Sequence, residues 1–392
     1  MNPLSITAYT VTSALGSGRA AHVEALRSGT TGLRKVAFDT NTLDCWLGEV
    51  RGFDVPLQGT LAAWDCRNNR LAEFALNQDG FLEAVCAGRA RHGAARIGVF
   101  IGTSTSGVQH TELAYRARDA QSGVLPHWFR QQYTQNIFSV ADFVAHRLAL
   151  QGPAVAISTA CSSSAKVFAA ASRAISAGIC DAAVVGGVDS LCLTTLYGFN
   201  SLQLISGDVC RPADAARNGI SIGEAGGFAL LESRATSAVQ LLGYGESSDA
   251  YHMSSPEPEG RGAAASMRAA LARAAITPEL VDYINLHGTG TVANDKSESH
   301  AVCSVFGSTT PCSSTKGWTG HTLGAAGIVE AAISLLAIEH GLLPRSLNTL
   351  AKDPQIHAAI LLENRSADVR RVLSNSFGFG GSNCSLLLGA AR

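Results

Sequence analysis

The chain alternates between short apolar runs and longer alanine-rich segments, which predicts an α/β protein. The apolar runs predict strands at 5–9, 96–101, 154–158, 182–187, 226–232, 239–244, 281–286, 310–314, 371–376 and 384–388. The alanine-rich segments predict helices at 18–27, 70–87, 137–149, 162–177, 262–275, 294–306 and 324–340. Gly178 and Gly341 stand where helix C-caps belong.

The two halves of the chain resemble each other in the order of these elements. Residues 99–105 and 284–291 are each a strand that runs into a turn of Gly, Thr and Ser. A strand, a small-residue turn and an alanine-rich helix then recur at 154–177 and 310–340. The repetition predicts two similar α/β halves, 1–236 and 237–392, although Gly- and Thr-rich loops also resemble each other by chance. Because no linker-like tract separates them, we expect the halves to share one core.

Composition and charge narrow the function classes. The chain has 392 residues, 46% hydrophobic and 16% charged, which suits a large core and excludes a disordered protein. The net charge of −1 argues against a broad nucleic-acid surface. The apolar segment 322–343 contains Glu330 and Glu339, so we expect a buried helix and no membrane span. With no signal-peptide pattern and no CxxC pair among ten cysteines, we expect a cytoplasmic protein with reduced thiols and no metal site.

Cys161 lies at the predicted turn between the strand 154–158 and the helix 162–177. Free backbone N–H groups and the positive end of a helix favour a thiolate there. We therefore expect the pKa of Cys161 to lie below the ordinary value of about 8.5. The small residues at 160 and 162–164 leave room for a substrate. The pattern fits a nucleophile, and it also fits a buried structural thiol, the common state of a single cysteine.

Two histidines stand at the ends of predicted strands, where α/β sheets bind ligands. His287 and His321 both have neighbouring glycines, and Lys316, one of only five lysines, precedes His321 by five residues. The two rings are candidates for general acid/base catalysis or hydrogen-bond donation, or they are satisfied core histidines. The Gly-rich loop 375–383 carries Phe377 and Phe379. It suits a gate over an apolar pocket with oxyanion-binding N–H groups, or a tight hairpin with two core phenylalanines.

Together these segments resemble the β-ketoacyl-[acyl-carrier-protein] synthases of the ketosynthase I/II type. The matching motifs are Ser158-Thr-Ala-Cys161-Ser-Ser-Ser, Leu286-His287-Gly-Thr-Gly-Thr291 with Asp295 and Glu298, Ser314-Thr-Lys316-Gly-Trp-Thr-Gly-His321, and Asn375-Ser-Phe-Gly-Phe-Gly-Gly-Ser-Asn383. The resemblance implies a thiolase-like fold, in which two βαβαβαββ halves form an αβαβα five-layer sandwich. It also implies an acyltransferase that condenses an acyl group on Cys161 with malonyl-carrier protein. The products would be 3-oxoacyl-carrier protein, CO2 and free carrier protein.

The resemblance implies a role for each catalytic position. Cys161 corresponds to the nucleophile that takes the acyl chain from carrier protein or coenzyme A. His287 and His321 complete a Cys-His-His triad that assists malonyl decarboxylation and stabilises the enolate and tetrahedral oxygens. Lys316 and Glu298 correspond to a polar pair that orders the site.

The resemblance also implies substrate and carrier contacts. Phe379 corresponds to a gating residue, and its N–H would form the oxyanion hole with that of Cys161. The other implied binding positions are Thr289 and Thr291 for the phosphopantetheine arm, Phe377 and Thr105 for the acyl pocket, and Arg67 and Arg70 for the acidic carrier protein. No cofactor is expected beyond the phosphopantetheine that carries the substrates. The family is typically dimeric.

The sequence leaves the pathway open. The run 162–164 after Cys161 resembles modular and secondary-metabolite ketosynthases as much as housekeeping ones. One alternative is therefore the catalytic ketosynthase of an aryl polyene or polyketide pathway, in a heterodimer with a chain-length-factor-like subunit instead of a homodimer. A second alternative is a thiolase or acyl-CoA transferase, since Cys384 superficially resembles a second thiolase cysteine. A third is a non-catalytic protein that binds acyl-carrier protein.

Overall fold

Each predicted strand segment corresponds to a strand in the structure, a computed structural model that describes residues 1–391. The strands are β1 Leu4–Ser13, β2 Gly16–Ser17, β3 Leu47–Gly48, β4 Ile97–Gly102, β5 Ala154–Ile157, β6 Ala182–Asp189, β7 Ile222–Gly223, β8 Ala225–Glu232, β9 Val239–Ser248, β10 Tyr283–Leu286, β11 Pro311–Ser314, β12 Leu342–Leu343, β13 Ala359–Ile360, β14 Arg365–Ser366, β15 Arg371–Gly378 and β16 Ser382–Ala390. The α-helices are α1 Gly18–Ser28, α2 Arg67–Leu76, α3 Phe81–His92, α4 Val108–Arg116, α5 Gln131–Thr134, α6 Ser139–Arg147, α7 Ser163–Ser176, α8 Leu193–Ser201, α9 Arg261–Ala274, α10 Val292–Phe306, α11 Lys316–Thr319 and α12 Ala326–His340. Short 3-10 turns lie at Gly59–Trp64, Ala94–Arg96, Pro278–Leu280, Leu323–Ala325 and Phe379–Gly381.

The main sheet repeats one strand order in its two halves. In the first half the order is β5-β4-β6-β8-β1, and in the second it is β11-β10-β15-β16-β9, with β13 added at the edge. When these five strands of each half are numbered along the chain, both halves have the same order, 3-2-4-5-1. The first half pairs β4 in parallel with β5 and β6, and β8 runs antiparallel to β6 and β1. The repeated topology confirms the predicted thiolase-like fold.

The two halves meet around a central layer of helices. β1 and β9 pair at Leu4–Leu241 and Ser5–Gln240, which makes the sheet continuous. Helices α7 and α12 pack against each other, α7 on β4 and β6 and α12 on β15. Their apolar side chains share one core cluster. A second cluster joins α2, α3 and α6 to the first half, and a third joins α9 and α10 to the second half. Helices therefore form the middle and both outer layers.

The apolar segment that ends in α12 is a core element. Leu323–His340 is long and apolar enough to cross a membrane, but 83% of it is buried inside the fold. A helix in a central layer is covered by sheet on both sides, so it has no polar face. Glu330 is the exception, a buried acidic residue in the middle of this helix.

The predicted helix 70–87 is wrong as one element, because the structure divides it into α2 and α3. Asp79 and Gly80 between them adopt left-handed backbone angles, with φ of 57° and 69°. Such angles end a helix. Two helices with few alanines, α4 and α8, were not predicted from the apolar pattern.

His22 on α1 is a buried neutral histidine. Its Nδ1 donates to the carbonyl oxygen of Gly18 at 2.9 Å, and its Nε2 accepts from the Ser13 hydroxyl at 2.8 Å. Burial lowers the pKa of His22 to about 4. The ring therefore favours the folded state only while it is neutral.

We expect this histidine to make folding stability sensitive to acid. The unfolded chain protonates His22 near pH 6.5, whereas the folded chain resists protonation down to about pH 4. Its contribution is therefore fully present above pH 6.5 and is lost as pH falls toward 4, by about 3 kcal/mol in total. Urea unfolding at several pH values measures this. The difference in unfolding free energy between wild type and His22→Gln should shrink on acidification, and a difference independent of pH contradicts the assignment.

Candidate active site

Cys161 lies at a strained turn between β5 and α7. The preceding residue, Ala160, has a φ of 51°, a conformation that costs energy for a side chain with a Cβ. Gly378 of β15 packs against the same turn. A Cβ at position 378 would lie 2.6 Å from the Thr159 carbonyl oxygen and 3.3 Å from the Cys161 nitrogen. Glycine there lets the two segments of the site come together.

Cys161, His287 and His321 form one buried cluster. Their sulfur and one ring nitrogen from each histidine all lie within 4.8 Å of one another. The Nε2 of His321 is 2.9 Å from the sulfur of Cys161. The two imidazole rings stand edge to face with their centroids 5.4 Å apart. The fold thus brings Cys161 of the first half together with His287 and His321 of the second half.

The expectation of a lowered thiol pKa is wrong. Burial raises the pKa of Cys161 to about 12, and the nearby charge of Lys316 opposes this only in part. The helix end favours the thiolate, but the loss of water around a fully enclosed sulfur disfavours it more strongly. A thiolate here depends on direct hydrogen-bond donors, and the backbone N–H of Phe379 is one that lowers the pKa.

Both histidines are neutral rings that present an N–H to the site. The Leu323 N–H donates to Nδ1 of His321 at 3.3 Å, and the Lys316 ammonium donates to Nδ1 of His287 at 3.3 Å. Burial and the charge of Lys316 hold the pKa of each ring well below its usual range. An Nδ1 that accepts leaves the single hydrogen on Nε2. Each Nε2 is therefore a donor, and that of His321 faces the sulfur.

The same tautomers bear on metal binding. Cys161, His287 and His321 are close enough to hold a metal ion by distance alone. A metal-bound histidine normally donates its other ring N–H to an acceptor. Here each Nδ1 instead receives a hydrogen bond, from Leu323 or from Lys316. The surroundings favour hydrogen-bond donation over metal ligation.

The partner of Lys316 is Glu330. The Lys316 side chain is 1% exposed, and its ammonium donates to the Glu330 carboxylate of α12 and to the His287 carbonyl oxygen. The predicted pairing of Lys316 with Glu298 is therefore wrong. Burial raises the pKa of Glu330 to about 7, against the opposing charge of Lys316.

Glu298 has a different place in the site. Its carboxylate accepts the backbone N–H groups of His287 at 2.8 Å and Gly288 at 2.7 Å. The side-chain amide of Asn375 donates to the same carboxylate at 3.2 Å. Burial raises the pKa of Glu298 to about 7. It therefore anchors the backbone that carries His287 and does not contact the lysine.

A cavity of about 320 Å³ opens onto the cluster, and Cys161, His287 and His321 are part of its wall. The structure places four predicted substrate positions in the same wall, Thr289, Thr291, Phe377 and Phe379. The two threonine hydroxyls are hydrogen-bonded to each other at 2.9 Å.

Phe379 lies on a glycine-rich turn. Its 3-10 turn contains Gly380 and Gly381 with φ of 80° and 74°. The Phe379 ring contacts that of Phe199, with centroids 5.6 Å apart. Glycines at left-handed angles permit a turn that other residues resist. The geometry suits the predicted gate.

The assignment of Thr105 to the acyl pocket is wrong for this cavity. Thr105 is buried outside the wall that the described residues form around it. Its hydroxyl and its N–H both donate to Asp189, at 2.9 Å each. The loop after β4 wraps around that carboxylate, so the side chain turns away from the cavity.

The predicted basic pair is engaged within the chain. The Nε of Arg67 donates to Glu224 at 2.9 Å, its guanidinium lies over the Phe53 ring, and its side chain is 15% exposed. Arg70 forms a bidentate pair with Asp65 at 2.6 and 2.5 Å. Both charges are matched by carboxylates. The resemblance implies that this pair meets the acidic carrier protein, and that contact stays a prediction.

Comparison with known proteins gives a consistent result. The model of the beta-ketoacyl synthase N-terminal domain matches residues 70–237, and that of the C-terminal domain matches residues 238–350. The 3-oxoacyl-[acyl-carrier-protein] synthase 2 of Coxiella burnetii is 32% identical and is matched over 98% of this chain and 97% of its own. The mitochondrial 3-oxoacyl-[acyl-carrier-protein] synthase of Arabidopsis thaliana is 39% identical over 62% of this chain, which spans 58% of that relative.

A solved structure is similar over the full length. It is the ketosynthase ApeO in complex with its chain length factor ApeC, from Xenorhabdus doucetiae. The identity is 40% and the TM-score is 0.91, with 100% of this chain and 98% of the other covered.

Proposed function

The chain belongs to the β-ketoacyl synthase family, and we propose that it extends acyl chains by decarboxylative condensation with malonyl-carrier protein. The observation that carries the proposal is the buried Cys161 facing two neutral imidazoles that each present an Nε2–H. A nucleophile beside two fixed donors suits a reaction in which negative charge develops on thioester oxygens. The apolar cavity that leads to it suits an acyl chain and its pantetheine arm.

In the first step the acyl group moves to Cys161. The sulfur attacks the thioester carbonyl of the acyl-carrier protein, the carbon–sulfur bond to pantetheine breaks, and the carrier thiol leaves with the proton of Cys161. Donors at the sulfur, His321 Nε2–H and Phe379 N–H, offset the burial that disfavours the thiolate. The product is acyl-Cys161 and free carrier protein.

In the second step malonyl-carrier protein loses CO2. The electron pair of the breaking carbon–carbon bond moves into an enolate, whose oxygen accepts hydrogen bonds from the Nε2–H groups of His287 and His321. A neutral ring donates without having to lose a charge, so the lowered pKa of both rings suits this role. The low dielectric of the buried site strengthens each hydrogen bond.

In the third step the enolate carbon attacks the acyl-Cys161 carbonyl. The N–H groups of Cys161 and Phe379 would bind the tetrahedral oxyanion. The bond from carbon to the Cys161 sulfur then breaks, which releases 3-oxoacyl-carrier protein. The thiolate takes a proton from solvent, so the enzyme returns to its starting state.

We expect His287→Ala and His321→Ala each to slow malonyl decarboxylation by about 10²–10³-fold, the usual loss for one oxyanion donor. Release of CO2 from radiolabelled malonyl-carrier protein measures this. Alkylation of Cys161 by iodoacetamide should change far less for His287→Ala, because the hydrogen bond to the sulfur comes from His321. His340→Ala, at the exposed end of α12, is the matched control. A loss below tenfold in both variants would mean that the rings are structural.

Reconstitution with defined substrates tests the function. The purified protein, acyl-carrier protein and malonyl-carrier protein should give 3-oxoacyl-carrier protein and one CO2 per condensation. We propose that no further cofactor takes part, so EDTA should leave the rate unchanged. Condensation of two acetyl-CoA molecules without loss of CO2 would instead support a thiolase. Binding of the carrier without acylation of Cys161 would support a non-catalytic role.

A second ketosynthase-like subunit is supported by the solved complex and by one exposed edge. The relative ApeO was solved with its chain length factor. Here β5 ends the sheet, and within the described chain it pairs only with β4. Its four residues are all half-buried. Two apolar residues before α6, Ile137 and Phe138, are each 39% exposed, and α6 packs on β5. An unpaired apolar edge is a template for another chain.

We propose that this edge binds a related subunit, and light scattering of the purified chain tests it. Whether the wild-type chain pairs with itself or with an added ketosynthase-like partner, Val155→Lys on β5 and Phe138→Glu should each abolish the pairing, because a buried charge disfavours the contact. Ile179→Lys, 55% exposed at the end of α7, is the control. A chain that is monomeric and inactive alone, and active with a ketosynthase-like partner, supports the heterodimer. An active homodimer of this chain alone contradicts that reading.

A further inference from the structure

Asp189, the last residue of β6, is a fully buried carboxylate that the reaction above does not use. It accepts hydrogen bonds from six donor groups of the described chain, and none of these groups belongs to a charged side chain. Five come from the loop after β4, namely the N–H groups of Ser104 and Thr105 and the hydroxyls of Thr103, Ser104 and Thr105. The sixth is the N–H of Gly324 at 2.5 Å. A carboxylate without water or a cation is stable only when such donors surround it.

The two segments that meet on Asp189 come from different halves of the molecule. The loop 103–105 follows β4 in the first half, and Gly324 lies just after His321 in the second. Gly324 has no room for a side chain, because a Cβ there would be 2.7 Å from an Asp189 oxygen and 2.8 Å from the Ser104 nitrogen. The carboxylate therefore clamps the turn that follows His321.

This turn determines which ring nitrogen of His321 carries the hydrogen. Leu323 has a φ of 55°, a left-handed angle that a leucine adopts only under constraint. At that angle its N–H reaches Nδ1 of His321. The next N–H, that of Gly324, is held by Asp189. If the turn relaxed, Nδ1 would lose its donor, and the ring could place its hydrogen on Nδ1 and a lone pair on Nε2.

We propose that Asp189 is a positioning residue that holds His321 in the Nε2–H form, and so keeps it a hydrogen-bond donor toward Cys161 and the substrate. The proposal rests on the proposed function for its kinetic consequence. Its structural consequence, the tautomer of one ring, does not depend on any activity. Asp189 itself touches neither ring nor sulfur among its hydrogen bonds.

The principal test is Asp189→Asn, which keeps the shape, removes the charge and turns an amide toward neighbouring donors. ¹⁵N NMR of selectively labelled histidine, on the full-length protein, reports the tautomer of His321. Wild type should show Nε2–H, and the variant should show a mixed or reversed signature. Decarboxylation should fall at least 30-fold in kcat with KM changed less than threefold, because the carrier contacts remain. The pH profile should change as well, since a lone pair on Nε2 can take up a proton.

Two further variants make the outcome decisive. Glu232→Gln removes a carboxylate that is equally buried at the end of β8, where it binds Arg91 and His92, and it should leave the His321 tautomer unchanged. Gly324→Ala crowds Asp189 from the other side and should shift the tautomer of His321 in the same direction. This variant provides the test if Asp189→Asn does not fold. An unchanged His321 signature in a folded Asp189→Asn or Gly324→Ala protein overturns the proposal. Wild type that shows the Nε2–H signature but no condensation would refute the proposed function and leave the positioning role standing.

Discussion

Replacing Cys161 with alanine should abolish acyl transfer and reduce condensation by more than about 10⁴-fold. The covalent intermediate cannot form without the sulfur, and no other cysteine lies in the cavity wall within the described chain. Intact-mass measurement after incubation with acyl-carrier protein would show the acyl adduct on wild type and none on the variant. Cys161 lies in a turn and takes part in no ion pair among the described residues, so we expect the variant to fold normally.

Two other cysteines are the matched controls for this result. Cys384→Ala removes a fully buried thiol of β16, and Cys86→Ala removes an exposed one of α3. Both should keep the adduct, and loss of activity in Cys384→Ala alone would favour the thiolase alternative. Cys161→Gln resembles the acylated side chain and should retain malonyl decarboxylation, since both imidazole donors remain. Acylation elsewhere with condensation retained in Cys161→Ala would refute the nucleophile.

Replacing Lys316 with methionine should destabilise the protein by about 3–5 kcal/mol above neutral pH, the typical cost of leaving one member of a buried ion pair alone. Glu330 would then be a buried carboxylate without its cation. With the cation gone, the Glu330 pKa rises further above the unfolded value, so the variant should regain stability as pH falls and Glu330 takes up a proton. Urea unfolding at pH 6 and pH 8 measures the difference. Lys35→Met, which breaks an exposed pair with Asp44, should cost less than about 1 kcal/mol.

The double variant separates stability from chemistry. Lys316→Met with Glu330→Gln removes both charges and should recover most of the lost stability. It still lacks the donor to Nδ1 of His287, so decarboxylation should remain low. Recovery of activity together with stability would mean that Lys316 only supports the fold.

The fold was largely predictable because its strands are continuous apolar runs between glycines and polar turns. Such runs are typical of strands that are buried on both faces, and the similarity between 99–105 and 284–291 corresponds to the same strand order in both halves. The break between α2 and α3 was not predictable from apolar periodicity, because it depends on two left-handed residues, Asp79 and Gly80.

The site was predictable where chemistry coincides with a strand end. Cys161 and His287 each follow a predicted strand closely, and His321 follows the next strand after the short helix α11, so the topology brings the three together. Glu330 lies inside a helix and had no such signal, and although Asp189 follows the predicted strand 182–187, the partners of both are fixed only by the packing of distant segments. An acidic residue in the middle of the apolar helix α12 was the one available indication for Glu330. Thr105 was misassigned because a sequence does not show which carboxylate a polar side chain will meet.

The pairing of β1 has a consequence for synthesis on the ribosome. Ser5 of β1 pairs with Glu232 of β8 and Gln240 of β9. At 5–20 residues per second, these partner strands appear roughly 10–45 s after β1 itself. Apart from its two-residue pairing with β2, β1 therefore stays without its neighbouring strands through most of the first half's translation, when chaperones can bind it. Ribosome-arrested chains should show protease protection of β1 only when the arrest lies far enough beyond Glu232 for β8 to have left the exit tunnel.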